Sequence, residues 1–286
     1  MQQRPKVVYV LGSGRSGSTI IGLALGNCAR IVCAGELHLW LGKDGRSPLP
    51  GARRESFWAS VREQVEVPDG FPRRGGALLE KSSGALDPRS RIAARRLRAA
   101  YGRIQEQLFA AVARTAGAEV VVDTSHFPRR ARELQRLEEI DLFLLFVVRN
   151  PQKVVGSYSR DDRDFPRFGV LSTNAYLWLT YLLSLGAFLR HPRERRLLVR
   201  YEAFAEDPEG VLAEILERIG SDAAPPDLSA LDTGVAFQGN SLLRKDSVAF
   251  ERQPERPSPG SRLTALLNAP WALVFSRLGP AVGRRA

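Results

Sequence analysis

Short runs of consecutive apolar residues recur along this chain, separated by longer stretches in which apolar positions return every three or four residues. Val7–Leu11, Ile31–Cys33, Glu119–Val122, Leu142–Val148 and Arg196–Val199 read as strands. Runs without polar alternation belong to strands covered on both faces, as in parallel sheets. Between them, Ser18–Cys28, Ser90–Thr115, Pro128–Glu139, Pro151–Arg160, Thr173–Leu189 and Pro208–Ile219 read as helices. In the longest of these, Ile92, Leu97, Tyr101, Ile104 and Leu108 keep helical spacing and are candidate core residues. The alternation predicts an α/β, three-layer fold with a central parallel sheet flanked by helices. At 286 residues the chain is long enough for one large core.

Three stretches interrupt the alternation. Residues 43–83 are rich in Gly, Pro and charge around a short apolar helix with Phe57, Trp58 and Val61, which predicts a lid or acceptor-binding insertion. Residues 161–169 mix charged and aromatic side chains. Pro254–Gly260 is a proline-rich linker to an apolar tail, so the expected organisation is one domain over 1–253 followed by linker and tail over 254–286. Pro270 and Pro280 are expected to prevent one continuous helix there. Packing of the tail on the core is the first expectation, and a peripheral contact with an anionic membrane surface is the alternative. No apolar run reaches the length of a spanning helix.

Composition narrows the function classes. The two cysteines, Cys28 and Cys33, are too few for a disulfide framework, and three scattered histidines do not suggest a metal site. With the first strand starting almost at the N-terminus, the expected setting is cytoplasmic, with the inner face of the membrane as the place for any peripheral contact. The net charge of +11 invites an anionic partner. Nucleic-acid module signatures and basic stripes interleaved with aromatics are missing, so no nucleic-acid partner is expected.

The chemistry concentrates in two segments. Val7–Thr19, VVYVLGSGRSGST, is a β-branched run entering a glycine-rich turn and then a helix, the context of a phosphate-binding loop. Ser18 stands where nucleotide triphosphatases carry the lysine that reaches β- and γ-phosphates. Backbone amides at the helix start still hold an anion, and Arg15, Ser16, Ser18 and Thr19 add donors. The second segment is the apolar run Leu142–Val148 ending in Arg149, followed by Asn150-Pro151 and then Ser157. Pro at a first helical position marks the helix start. A guanidinium and a hydroxyl are thereby expected at the carboxyl edge of the sheet, where open α/β folds bind ligands.

In this order, both motifs resemble the sulfotransferases that use 3′-phosphoadenosine 5′-phosphosulfate (PAPS). Further matching pieces are Gly35-Glu36, the Asp123–Pro128 segment DTSHFP with His126 in place of a lysine, Val199–Phe204 (VRYEAF), and Gly239-Asn240 through Arg244. The resemblance implies a P-loop-like fold, PAPS as sulfuryl donor, no metal, and a hydroxyl acceptor on a small molecule, lipid or glycan. It implies Gly14, Arg15, Ser16, Gly17, Ser18 and Thr19 at the 5′-phosphosulfate, Arg149 and Ser157 at the 3′-phosphate, and Arg244 near the latter.

The acceptor proton needs a base. Glu36, in the position of the catalytic glutamate of tyrosylprotein-type relatives, and His126, in a context similar to the catalytic histidine of cytosolic aryl and alcohol sulfotransferases, are both candidates. Arg15 is the candidate for stabilising charge on the breaking bond. Asp123 reads either as a magnesium-binding acid of an ATP-dependent phosphotransferase or as an organiser of its own loop. A non-catalytic nucleotide-binding module is the reading from another class.

Overall fold

The computed structural model of the chain describes residues 4–80, 88–158, 169–251 and 261–278. Five strands form one parallel sheet: β1 (Lys6–Gly12), β2 (Ile31–Gly35), β3 (Val120–His126), β4 (Asp141–Val148) and β5 (Arg196–Arg200), in the order β2-β3-β1-β4-β5. The α/β reading is correct. β1 is central and wholly buried beyond Lys6, and its side chains alternate between two layers. Val8 and Val10 face α1 (Ser18–Gly26), α8 (Tyr201–Glu206) and α9 (Pro208–Ile219). Val7, Tyr9 and Leu11 face the layer of α4 (Pro88–Ala116), α5 (Pro128–Leu134), α6 (Pro151–Tyr158) and α7 (Val170–Arg190).

Several expected boundaries move for identifiable reasons. The third strand runs four residues past Val122, because the carboxylate of Asp123 is neutralised inside the core rather than at a loop. The helix from Pro128 stops at Leu134 instead of Glu139, and α1 ends at Gly26, where Asn27 turns its amide back to the Leu23 carbonyl (2.9 Å). The expected segment 161–169 lies outside the described residues except for Gly169, as does the linker 254–260.

The insertion between residues 43 and 80 is anchored in the core. In α2 (Ala52–Glu63), Trp58 is buried and donates through Nε1 to the Val235 carbonyl (2.7 Å). Arg54 is buried too and donates to the carbonyls of Ala236 and Pro50. In α3 (Gly75–Glu80), Glu80 joins a buried ion cluster. The described part of the insertion is thus tied to the rest of the chain through Trp58, Arg54 and Glu80.

The tail also departs from its expected form. One helix, α10 (Ser261–Leu278), continues through Pro270. Proline removes the backbone donor to the Leu266 carbonyl, but Pro270 is exposed, so that carbonyl lies on the outer side of the helix. The inner side of α10 buries Trp271 and Phe275 against Tyr181 and Phe146. A buried amide network joins Asn174, Thr264 and Asn268. The inner face of α10 is therefore packed on the core, while Pro280 and the rest of the tail lie outside the described residues.

Candidate active site

The carboxyl ends of β1, β2, β3 and β4 converge on one edge of the sheet, and the expected site residues leave from these ends. Gly12 pairs with Val147 and Leu11 with His126, while Gly35 pairs with Asp123. Any Cβ at Gly12 would collide with the Val147 carbonyl. Gly17, at φ +96°, lies flat beneath the Tyr201 ring, where a side chain has no room. Arg15 takes a left-handed conformation (φ +65°), which costs a non-glycine residue about 1–2 kcal/mol. Strain of this kind concentrates in ligand-binding loops.

The loop has donors without internal acceptors. No side chain caps the start of α1 and no acidic residue sits in its first turn, so its leading N–H groups present the positive end of the helix dipole without a compensating negative charge. Ser16 Oγ is buried with no hydrogen-bond partner. Arg149 donates through Nη1 to the Arg15 carbonyl (3.2 Å) and lies 4.4 Å over the Tyr201 ring, leaving its buried Nε unpartnered. A buried donor without a partner is costly, and these two fit an anionic group seated in the loop. Gly14 differs, since its N–H is engaged by Tyr176 Oη at 3.2 Å. Ser157 is half-buried on the last turn of α6. Arg244 is exposed on a 3-10 turn, Ser241–Arg244, anchored by buried Leu243 in the α1 layer.

Glu36 follows β2, held by its own N–H donating to the Gln238 carbonyl (2.8 Å). Burial, reinforced by the charge of Asp123, raises its pKa to about 7 against the opposing pull of Arg15. That value suits a base working near neutrality. His126 also takes a left-handed conformation (φ +56°), and its ring stacks on Phe127. Burial lowers its pKa to about 4, so it is neutral at pH 7 and a weak base.

Behind these two lies a buried ion cluster that sequence inspection missed. Asp123 Oδ1 accepts from the backbone N–H and hydroxyl of Ser125, and Oδ2 accepts from Arg130 Nε at 2.9 Å. Arg130 also donates to Glu80, Tyr101 and Gln105. The Ser125 hydroxyl accepts from the His38 N–H (3.1 Å), coupling β3 to the turn after Glu36. Asp123 thus holds the end of its own strand to α5, and both its oxygens are occupied by protein donors. The one available sequence signal was an arginine seven residues beyond Asp123, on the helix that follows its strand. Tyr158 and Tyr176, edge to face at 5.9 Å over the loop, were missed as well; a lone tyrosine on a helix carries no signal.

A glycine-rich loop follows the central strand of a parallel α/β sheet, with an arginine from the end of the adjacent strand beside it. Comparison with known proteins makes this specific. Residues 5–225 match the model of the Sulfotransferase family. The chain belongs to that family. Among solved structures, the sulfotransferase domain from the curacin biosynthetic pathway is similar over 98% of this chain and 100% of its own, at 16% identity and a TM-score of 0.53. Sulfotransferase STF9 from Mycobacterium avium is similar over 99% of this chain and 79% of its own, at 15% identity and a TM-score of 0.51. At such identities the likeness concerns the fold. No curated protein matched the sequence.

Proposed function

We propose that the protein transfers a sulfuryl group from PAPS to a hydroxyl on a small molecule, lipid or glycan, with Glu36 as the base. PAPS, when bound, supplies the sulfuryl group on a phosphate leaving group. In this reading the α1 amides with Ser16, Ser18 and Thr19 hold the 5′-phosphate side. Arg15 faces the oxygens that gain charge as the bond breaks, and electrostatic stabilisation of this kind is commonly the largest catalytic contribution. Arg149 and Ser157 hold the 3′-phosphate, with Arg244 approaching from its turn. Glu36 accepts the acceptor's proton and His126 orients the hydroxyl as a neutral partner.

The observation that carries the reading is the pairing of a lysine-free loop, whose buried Ser16 Oγ lacks a partner, with Arg149 fixed against that same loop. The saturated Asp123 speaks for this reading over an ATP–magnesium phosphotransferase. A cytoplasmic setting is part of this proposal; Cys28 and Cys33 are buried as free thiols. The test is thermal shift with the desulfo product PAP (3′-phosphoadenosine 5′-phosphate), ATP, and ATP with magnesium, followed by transfer of labelled sulfate from PAPS to fractionated host extracts. Selective stabilisation by PAP and label in a hydroxyl-bearing product are expected. Equal or greater stabilisation by ATP–magnesium overturns the reading.

A further inference from the structure

We propose that the outer face shared by α7 and α10 is a docking surface for an anionic membrane. The two helices run side by side in the same direction: Asn174 meets Thr264 and Asn268, Trp178 meets Leu267 and Trp271, and Tyr181 meets Trp271 and Phe275. Their inner sides are core, whereas their outer sides are apolar and bare. Of the ten large apolar side chains exposed among the described residues, eight lie on these two helices. Leu182 is 59% exposed and Leu266 74%, with Leu179 and Leu273 beside them at helical spacing. Concentration of exposed apolar area on one face marks an interaction site.

Charge identifies the occupant. The 21 residues of α7 and the 18 of α10 include no acidic side chain, and their charged residues are Arg190, Arg262 and Arg277, all exposed. A second copy seated face to face would bring arginine-rimmed surfaces together, which like-charge repulsion disfavours. An anionic bilayer surface offers apolar depth beneath negative headgroups, the environment of interfacial amphipathic helices. Trp178, partly exposed at the seam between the helices, has its indole N–H satisfied by Leu267 and its ring edge open, which suits a membrane interface. No helix among the described residues is long and apolar enough to cross a membrane, so the contact lies along the surface. Tyr176, on the inner side of α7, holds Gly14. The phosphate loop is therefore about one helix thickness, ~10 Å, from the face.

The test is co-sedimentation of the full chain at low salt with vesicles of phosphatidylcholine alone and of equal parts phosphatidylcholine and phosphatidylserine. Binding is expected to the second and not the first. Leu182→Gln with Leu266→Gln should weaken it on the order of 10-fold or more through lost apolar insertion, with an unchanged thermal midpoint. Arg262→Gln and Arg277→Gln should each weaken it about fivefold, the effect of about 1 kcal/mol per basic residue. Arg103→Gln, which removes the same charge from α4, should leave it unchanged. No vesicle binding overturns the proposal, as does binding insensitive to the leucine substitutions, which would reflect net charge alone. A concentration-dependent dimer abolished by Leu266→Gln would assign the face to a second copy instead.

Discussion

Arg149 donates to the backbone carbonyl of Arg15 across 3.2 Å, joining residues 134 positions apart in the chain. The contact ties the end of β4 to the left-handed residue of the phosphate loop, so the two arginines are held as one unit. Tyr201 completes it by covering Gly17 and supporting the Arg149 guanidinium from below.

That unit makes the cofactor assignment measurable. Arg149→Ala is expected to weaken PAP binding by about 1.5–3 kcal/mol, the range for a hydrogen bond to a charged group, and Ser157→Ala by about 0.5–1.5 kcal/mol. Titration calorimetry decides the matter; unchanged affinity in both variants would remove the 3′-phosphate assignment.

In the proposed role, Glu36 links activity to pH. With its pKa raised to about 7, the carboxylate form that accepts a proton accumulates above neutrality, so turnover should rise through pH 7 and level off above it. Glu36→Gln should bind PAP normally while turnover falls on the order of 10²–10⁴-fold. If His126→Asn shows that loss and Glu36→Gln does not, the histidine is the base.

The same group bears on stability. A carboxyl whose folded pKa lies above its unfolded value favours its protonated form in the native state. Its contribution is full below about 4.5 and falls away as pH rises to about 7. The rise from 4.5 to about 7, at about 1.4 kcal/mol per pH unit, sets an upper bound of about 3.5 kcal/mol. Glu36→Gln should therefore be more stable than the wild type at pH 8 and close to it at pH 4, as measured by denaturant unfolding at both pH values.

Asp123 contributes to the high pKa of Glu36, and Arg130 holds Asp123 in place. Asp123→Asn should shift the acidic limb of the pH–rate profile to lower pH, a readout that a purely structural role would leave unmoved. Arg130→Met strands Asp123 and Glu80 in the core and should cost about 3–5 kcal/mol. A pH profile unchanged in Asp123→Asn would disconnect the cluster from the base.

Trp271 tests the status of the tail. Truncation to Ala empties the space beside Tyr181 and Phe275 and is expected to cost about 3–5 kcal/mol. A stability loss below 1 kcal/mol in chemical denaturation would show that α10 is dispensable to the core.

What the sequence determined by itself is local and periodic. The runs Val7–Leu11 and Leu142–Val148, short, apolar throughout and rich in β-branched and aromatic residues, read as strands buried on both faces. The glycine spacing around Arg15 and the proline after Asn150 set a loop and a helix start through backbone sterics alone. From these the layered α/β fold and the two arginines were legible. Tertiary structure decided whatever depended on a distant partner. Asp123 lies inside a strand because Arg130 neutralises it there. Glu36 approaches neutrality in its pKa because strands from separate parts of the chain bury it beside Asp123. Pro270 sits inside a helix because one face of α10 is held on Tyr181 and Phe146 while the proline points outward. The tyrosines above Gly14 likewise become site residues only when α6 and α7 fold over β1. None of these has a local signature, since burial, charge compensation and packing belong to the three-dimensional neighbourhood and not to the segment.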